Sequence, residues 1–181
     1  MEIVDLASQR ENVREAAARL LMDNFDAPGG WPDLASALEE VTRVSTEGFA
    51  RAMLDGNITI GWVGGLPQYM GRVWELHPLI VHREYRRNGI GRELTRCFES
   101  EASRRGGLTA TLGTDDVSGM TSLSDVDLYG DIPRYLKEIR DLGNQHPFLF
   151  YQKLGYAVTG VLPDANGVGR PDIFMSKRLA G

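Results

Sequence analysis

The chain has 181 residues, 42% hydrophobic and 25% charged, with a formal net charge of −5 at neutral pH. That length suits one domain with a real core, and the acidic balance argues against nucleic acid as the main partner, which needs a basic face, while suiting a cationic substrate. One cysteine, Cys97, excludes an intrachain disulfide, and the charged N-terminus and the lack of any membrane-length apolar run predict a cytoplasmic protein with no membrane association.

In chain order, residues 2–6 read as a short strand and residues 9–23 as a helix with Val13, Ala16, Ala17, Leu20 and Leu21 on one face. Ser8 and Glu11 have the spacing of a capping box. The Pro- and Gly-rich run 26–32 predicts a loop, and a second helix follows over about 33–45. Phe49–Leu54 and Ile58–Gly64 flank Asp55-Gly56-Asn57, a hairpin signal. A fourth strand covers Val73 to about Val81, a helix Gly91 to about Arg104, and a fifth strand Leu108–Thr114. The polar stretch 115–146 contains a short helix near 132–140. A helix over 148–154 ends at Gly155, and strands over 156–162 and 172–178 close the chain. A meander followed by a strand–helix–strand crossover predicts a single α/β domain, residues 1–181, around a mixed sheet.

The most informative segment is the turn Arg86-Arg87-Asn88-Gly89-Ile90-Gly91 between the fourth strand and its helix. Two glycines permit close backbone approach. The N–H groups of a helix first turn can bind phosphate, and two arginines add positive charge. This is a pyrophosphate cradle of spacing R-x-x-G-x-G. It matches neither a Walker loop nor a dinucleotide fingerprint.

Three further features carry candidate chemistry. In Trp74-Glu75-Leu76-His77-Pro78-Leu79, strand alternation predicts Glu75, His77 and Leu79 on one face. A carboxylate and an imidazole there are costly to bury without purpose, and Pro78 interrupts pairing. Asn144 and Tyr151 frame a second constellation ending in Lys153-Leu154-Gly155-Tyr156. The third is the acidic stretch Asp115, Asp116, Asp125, Asp127 and Asp131, with no Lys or Arg between them. Several carboxylates focus a negative potential that attracts polyamines. No metal-ligand cluster is visible among His77, His82, His146 and Cys97.

The turn and the Asn144–Tyr156 pattern resemble the GNAT superfamily of N-acyltransferases. WELHPL, YRRNGIGREL, LGTDD with TSLS, HPFLFYQKLGY and GRPDIFMSKRL further resemble the aminoglycoside 6′-N-acetyltransferases, from about Gly61 to Leu179. The resemblance implies a GNAT fold, a mixed sheet of about seven strands splayed between the fourth and fifth. It also implies acetyl-coenzyme A as co-substrate without a metal, a cationic aminoglycoside as partner, and a homodimer.

The resemblance further implies cofactor contacts from Ile80, Val81, Arg86, Arg87, Asn88, Gly89, Ile90, Gly91, Arg92, Asn144 and Tyr151. Glu75 would be general base, His77 its helper and Tyr151 the acid for the leaving thiolate. The backbone N–H near Leu79 would polarise the thioester carbonyl. Trp31, Tyr69, Glu75, Asp115 and Asp116 would bind substrate. Two alternatives stay open: a GNAT enzyme for another amine, such as a polyamine or a protein N-terminus, and a non-catalytic acyl-coenzyme A sensor.

Overall fold

The computed structural model describes residues 1–25 and 30–179. Part of the expected loop over 26–32, residues 26–29, lies outside the described residues. The chain divides into two compact units, Met1–Ala110 with Leu179–Gly181, and Thr111–Arg178.

The first unit contains β1 (Glu2–Asp5), α1 (Glu11–Asn24), α2 (Leu34–Glu47), β2 (Phe49–Asp55), β3 (Ile58–Gln68), β4 (Val73–Val81) and α3 (Ile90–Arg104). Strands β1 to β4 pair antiparallel in chain order. The Asp-Gly signal is a two-residue hairpin turn, with Asp55 opposite Ile58. One apolar cluster joins Ala17, Leu20 and Leu21 of α1 to Ala37, Val41 and Val44 of α2 and to Trp62 and Ile80 of the sheet. Trp62 is fully buried and its indole N–H donates to the Ala17 carbonyl at 3.0 Å, so the polar atom of a large apolar side chain is satisfied. On the opposite sheet face Phe98 of α3 packs against Phe49, and Phe49 against Trp74. Truncating a buried Phe of this kind costs about 3–5 kcal/mol.

The start of α1 differs from expectation. Ser8 lies in a 3-10 turn, Leu6–Ser8, and α1 follows Arg10 without a side-chain cap. The cause is Asp5, whose carboxylate takes the Ala7 N–H and whose carbonyl takes the Ser8 hydroxyl. That local bonding removes Ser8 from the helix N-terminus. At α2 Asp33 does cap, accepting the Ser36 N–H at 2.8 Å.

The second unit holds most of β5 (Thr109–Asp115), then α4 (Ile132–Lys137), α5 (Phe148–Lys153), β6 (Ala157–Leu162) and β7 (Asp172–Arg178). Strands β6 and β7 are antiparallel. Phe148, Leu112, Leu123 and Ile173 are among its buried apolar side chains. The seven strands follow the order β1-β2-β3-β4-β5-β7-β6 in a mixed sheet flanked by helices.

Candidate active site

The Gly-rich turn lies in the first unit. Gly89 stands at the N-cap of α3 with φ +84°, the left-handed region that favours glycine, and a Cβ there would meet nothing within 4 Å. The turn is therefore open on that side, and α3 begins at Ile90, so its first-turn N–H groups rise from the turn. Arg86 donates through Nε to the Val81 carbonyl at 3.2 Å and through its guanidinium to the Asn24 side chain. It braces the turn to β4 and α1. Arg87, Asn88 and Arg92 are exposed, while the side chains of Ile80 and Ile90 are buried. Any ligand contact by Ile80 would thus be through its backbone.

The expected common face of Glu75, His77 and Leu79 divides in two. Cross-strand partners share a face, and β4 pairs Glu75 with Leu66, Leu76 with Gly65, Leu79 with Val63 and Ile80 with Trp62. Two β4 residues, His77 and Pro78, therefore stand between these pairs opposite the single Gly64 of β3, which is a bulge at His77-Pro78. Trp62 and Leu66 pack with α1 and α2, so Glu75 lies on that face. His77 joins it through Glu40 of α2, 3.1 Å from Nε2. Leu79, opposite Val63, lies on the other face. Plain alternation fails here because the bulge shifts its phase by one residue. Gly64 makes room for the bulge: a Cβ there would stand 2.2 Å from the His77 carbonyl oxygen and 2.4 Å from Val44.

Glu75, His77 and Glu40 each have a polar partner. Glu75 accepts from Gln68 Nε2 at 2.6 Å. Arg43 grips Glu40 with two bonds, Nε to Oε2 at 2.9 Å and a terminal nitrogen to Oε1 at 2.7 Å. The Arg43 hydrogen bonds hold the Glu40 carboxyl below its ordinary range, against a desolvation cost and with help from His77. The Trp31 ring lies 6.5 Å from the His77 ring, centroid to centroid, whereas Tyr69 is 76% exposed. Glu40 and Gln68 escaped the sequence reading. Glu40, Arg43 and Glu47 have i, i+3 and i+4 spacing, which signals only helix-surface ion pairs. Gln68 carries no signal at all.

In the second unit the acidic stretch is not one open surface. Asp115 is exposed and accepts from Asn166 Nδ2 at 2.6 Å. Asp116, expected to meet substrate, is fully buried. Its oxygens take the N–H of Met120 at 2.6 Å, the N–H of Thr121 at 2.8 Å and the Ser124 hydroxyl at 2.7 Å. Burial raises its carboxyl pKa, and these bonds outweigh that and hold it below the ordinary value. The buried carboxylate is a strut of its own loop, because only its neighbouring N–H and hydroxyl groups offset its lost hydration. Asp125 pairs with Arg170 at 2.9 Å, and Asp127 and Asp131 accept the N–H groups of Tyr129 and Arg134.

His146 is almost wholly buried and links this loop to α5. Its Nδ1 accepts the Phe148 N–H at 3.2 Å, so Nε2 donates to the Asp115 carbonyl at 3.1 Å. Asn144 is exposed. Tyr151 is buried against Phe150 and Tyr156, and burial pushes its phenol pKa up. Burial also raises the Cys97 thiol, consistent with packing rather than nucleophilic work.

A family model described as the acetyltransferase (GNAT) family matches residues 14–121, more than half the chain and parts of both units. The chain belongs to this family. Solved structures agree over its whole length. An aminoglycoside 6′-N-acetyltransferase complexed with coenzyme A shares 38% identity at a TM-score of 0.91, covering 100% of this chain and 98% of that one. The aminoglycoside 6′-N-acetyltransferase from Enterococcus faecium shares 38% identity at 0.90, with the same coverage. An aminoglycoside 6′-acetyltransferase type Ii shares 34% at 0.75, covering 100% and 99%. No curated protein matches. For this GNAT acetyltransferase the open turn at Gly89 and the start of α3 fit a coenzyme A pyrophosphate, since backbone N–H groups can approach it unobstructed.

Proposed function

We propose that this GNAT acetyltransferase transfers the acetyl group of acetyl-coenzyme A to the 6′-amine of aminoglycosides, a reaction that confers antibiotic resistance. The observation that carries the reading is the likeness to aminoglycoside 6′-N-acetyltransferases over the full chain at 34–38% identity. Residues Arg86–Gly91, with Val81 and Arg92, hold the cofactor, mainly through backbone N–H groups, and Asn144 adds a polar contact. Acetyl-coenzyme A supplies the acetyl as a thioester, so the transfer is direct and needs no covalent enzyme intermediate.

The chain's own residues manage protons and charge. An amine is mostly protonated at neutral pH and must lose a proton before it attacks. Glu75 takes that proton through a water, and the Gln68 amide fixes its carboxylate by holding one oxygen. His77 orients the water or Glu75. The Leu79 N–H polarises the acetyl carbonyl. Tyr151 stays protonated, since burial raises its phenol. Full transfer to a thiolate of ordinary basicity, with thiol pKa about 8.5, is therefore uphill. Its role is to donate a hydrogen bond to the leaving sulfur, with water completing the proton. Glu75, Asp115, Trp31 and Tyr69 contact the cationic substrate, with charge from the first two and rings for cations or sugars from the others. Asp116 serves this surface only by holding the loop beside Asp115.

The test is kcat/KM with acetyl-coenzyme A across aminoglycosides, polyamines and peptides with free N-termini. Aminoglycosides should lead by at least about tenfold, or 1.4 kcal/mol. A polyamine or peptide in first place replaces this reading with the other-amine one. Tight cofactor binding without turnover replaces it with a sensor.

A further inference from the structure

His77 and Glu40 are 37 positions apart and meet at 3.1 Å, Nε2 to Oε1. The Glu40 side chain is only 13% exposed, and Arg43 holds both of its oxygens. Arg43 in turn reaches Glu47 at 3.0 Å. This is far more fixing than a helix-surface ion pair provides. Held by Arg43, the carboxylate is ionised near neutral pH and can only accept a hydrogen bond. Nε2 must then carry the hydrogen. In the neutral imidazole the lone pair is left on Nδ1, as the two ring nitrogens share one proton.

We propose that Glu40 is a positioning residue for His77, fixing the ring proton on Nε2 and making Nδ1 the ring's proton-accepting atom in amine acetylation. The inference rests on reading this strand face as the acetylation site and deepens it. His77 becomes a directed acceptor for the water or amine proton beside Glu75. Trp31, 6.5 Å from the imidazole, is the aromatic neighbour of the oriented ring. The carboxylate acts as the orienting third group that general-base histidines commonly carry.

The test uses the full chain and two readouts. Nitrogen-15 NMR of the neutral His77 ring, assigned with His77→Asn, should show a protonated Nε2 and an unprotonated Nδ1. Glu40→Gln should give a mixture of the two tautomers, because a carboxamide can face Nε2 with its oxygen or its nitrogen. Turnover should fall about tenfold in Glu40→Gln, within the range for coupled neighbours, and by less than about twofold when Glu40→Gln is added to His77→Asn. A protonated Nδ1 in the native chain overturns the proposal. An equal loss in both backgrounds also overturns it, since Glu40 would then only support α2. Unchanged turnover in His77→Asn removes the proton-acceptor role. The NMR readout stands even where no amine is acetylated, so failure of the underlying functional reading shows separately.

Discussion

On the β4 face, Glu75 and His77 are half-buried, and each has a polar partner on a neighbouring element, Gln68 and Glu40. In the stretch 115–131 most of the carboxylates hold loops and short turns together. Asp116 holds its own loop, Asp125 pairs with Arg170, and Asp127 and Asp131 cap short helical turns. Both regions read as acidic chemistry in sequence. The difference is geometric. A strand pins its side chains to a fixed face, while a loop must first satisfy its own backbone N–H groups, and Asp is the residue best suited to that. Of these carboxylates only Asp116 is buried, while Asp115 ends strand β5 and is exposed there.

The comparison is open to breaking at four points. Glu75→Gln keeps shape and removes the base, so turnover should fall about 10²- to 10⁴-fold in steady-state kinetics while thermal stability stays. Near-native turnover would move the proton to His77 or solvent and erase the functional side of the contrast. Asp116→Asn should do the reverse. It should cost about 1–3 kcal/mol in denaturant unfolding, because an amide cannot accept all three bonds as well, whereas Asp115→Asn should spare stability and raise KM for an aminoglycoside. The Asp116 carboxyl is held below its ordinary value in the fold. Its stabilising share is therefore complete above the ordinary carboxylate range and is lost as pH falls through the folded value. The gap between native and Asp116→Asn stability should narrow in acid.

Gly89→Val tests the turn that serves the same unit as Glu75. The left-handed φ of +84° disfavours any branched residue, and calorimetry should show coenzyme A affinity weakened about tenfold or more, or 1.4 kcal/mol. Unchanged affinity in a folded variant would remove the turn from the cofactor site. The smallest effect sharpens the contrast within the first unit. Glu101 of α3 bonds Arg104 and Arg105 and reaches Arg51, and its carboxyl is lowered to about 2, the Arg104 hydrogen bond acting first. A lowered folded value means stability present above about pH 4.5 and lost as pH falls toward 2. Glu101→Gln should cost on the order of 1 kcal/mol at neutral pH, since Arg104 is exposed and screened, with no change in turnover.

Much of the fold was legible because its signals are local. The hairpin turn, the span of β4 and the β7 strand over 172–178 follow directly from turn residues and alternation. The split of Glu75 and His77 from Leu79 was not, because a bulge depends on the partner strand, and Gly64 opposite His77 reads as an ordinary glycine until the strands pair. Ser8 misled for a similar reason: Asp5 draws it into a 3-10 turn, its hydroxyl donating to the Asp5 carbonyl, and α1 starts only after Arg10. Glu40 was invisible because only the packing of α2 on β4 brings it to His77. Asp116 and Asp115 could not be told apart from sequence, since one residue decides which side of a strand end faces the core.

The most direct test is the position of the acetyl group on a single aminoglycoside bearing several amines. The native chain, acetyl-coenzyme A and the drug are incubated to completion, and the product is read by two-dimensional NMR. A single acetyl on the 6′ nitrogen is the result expected. An acetyl on any other nitrogen, or none with the cofactor bound, contradicts the account.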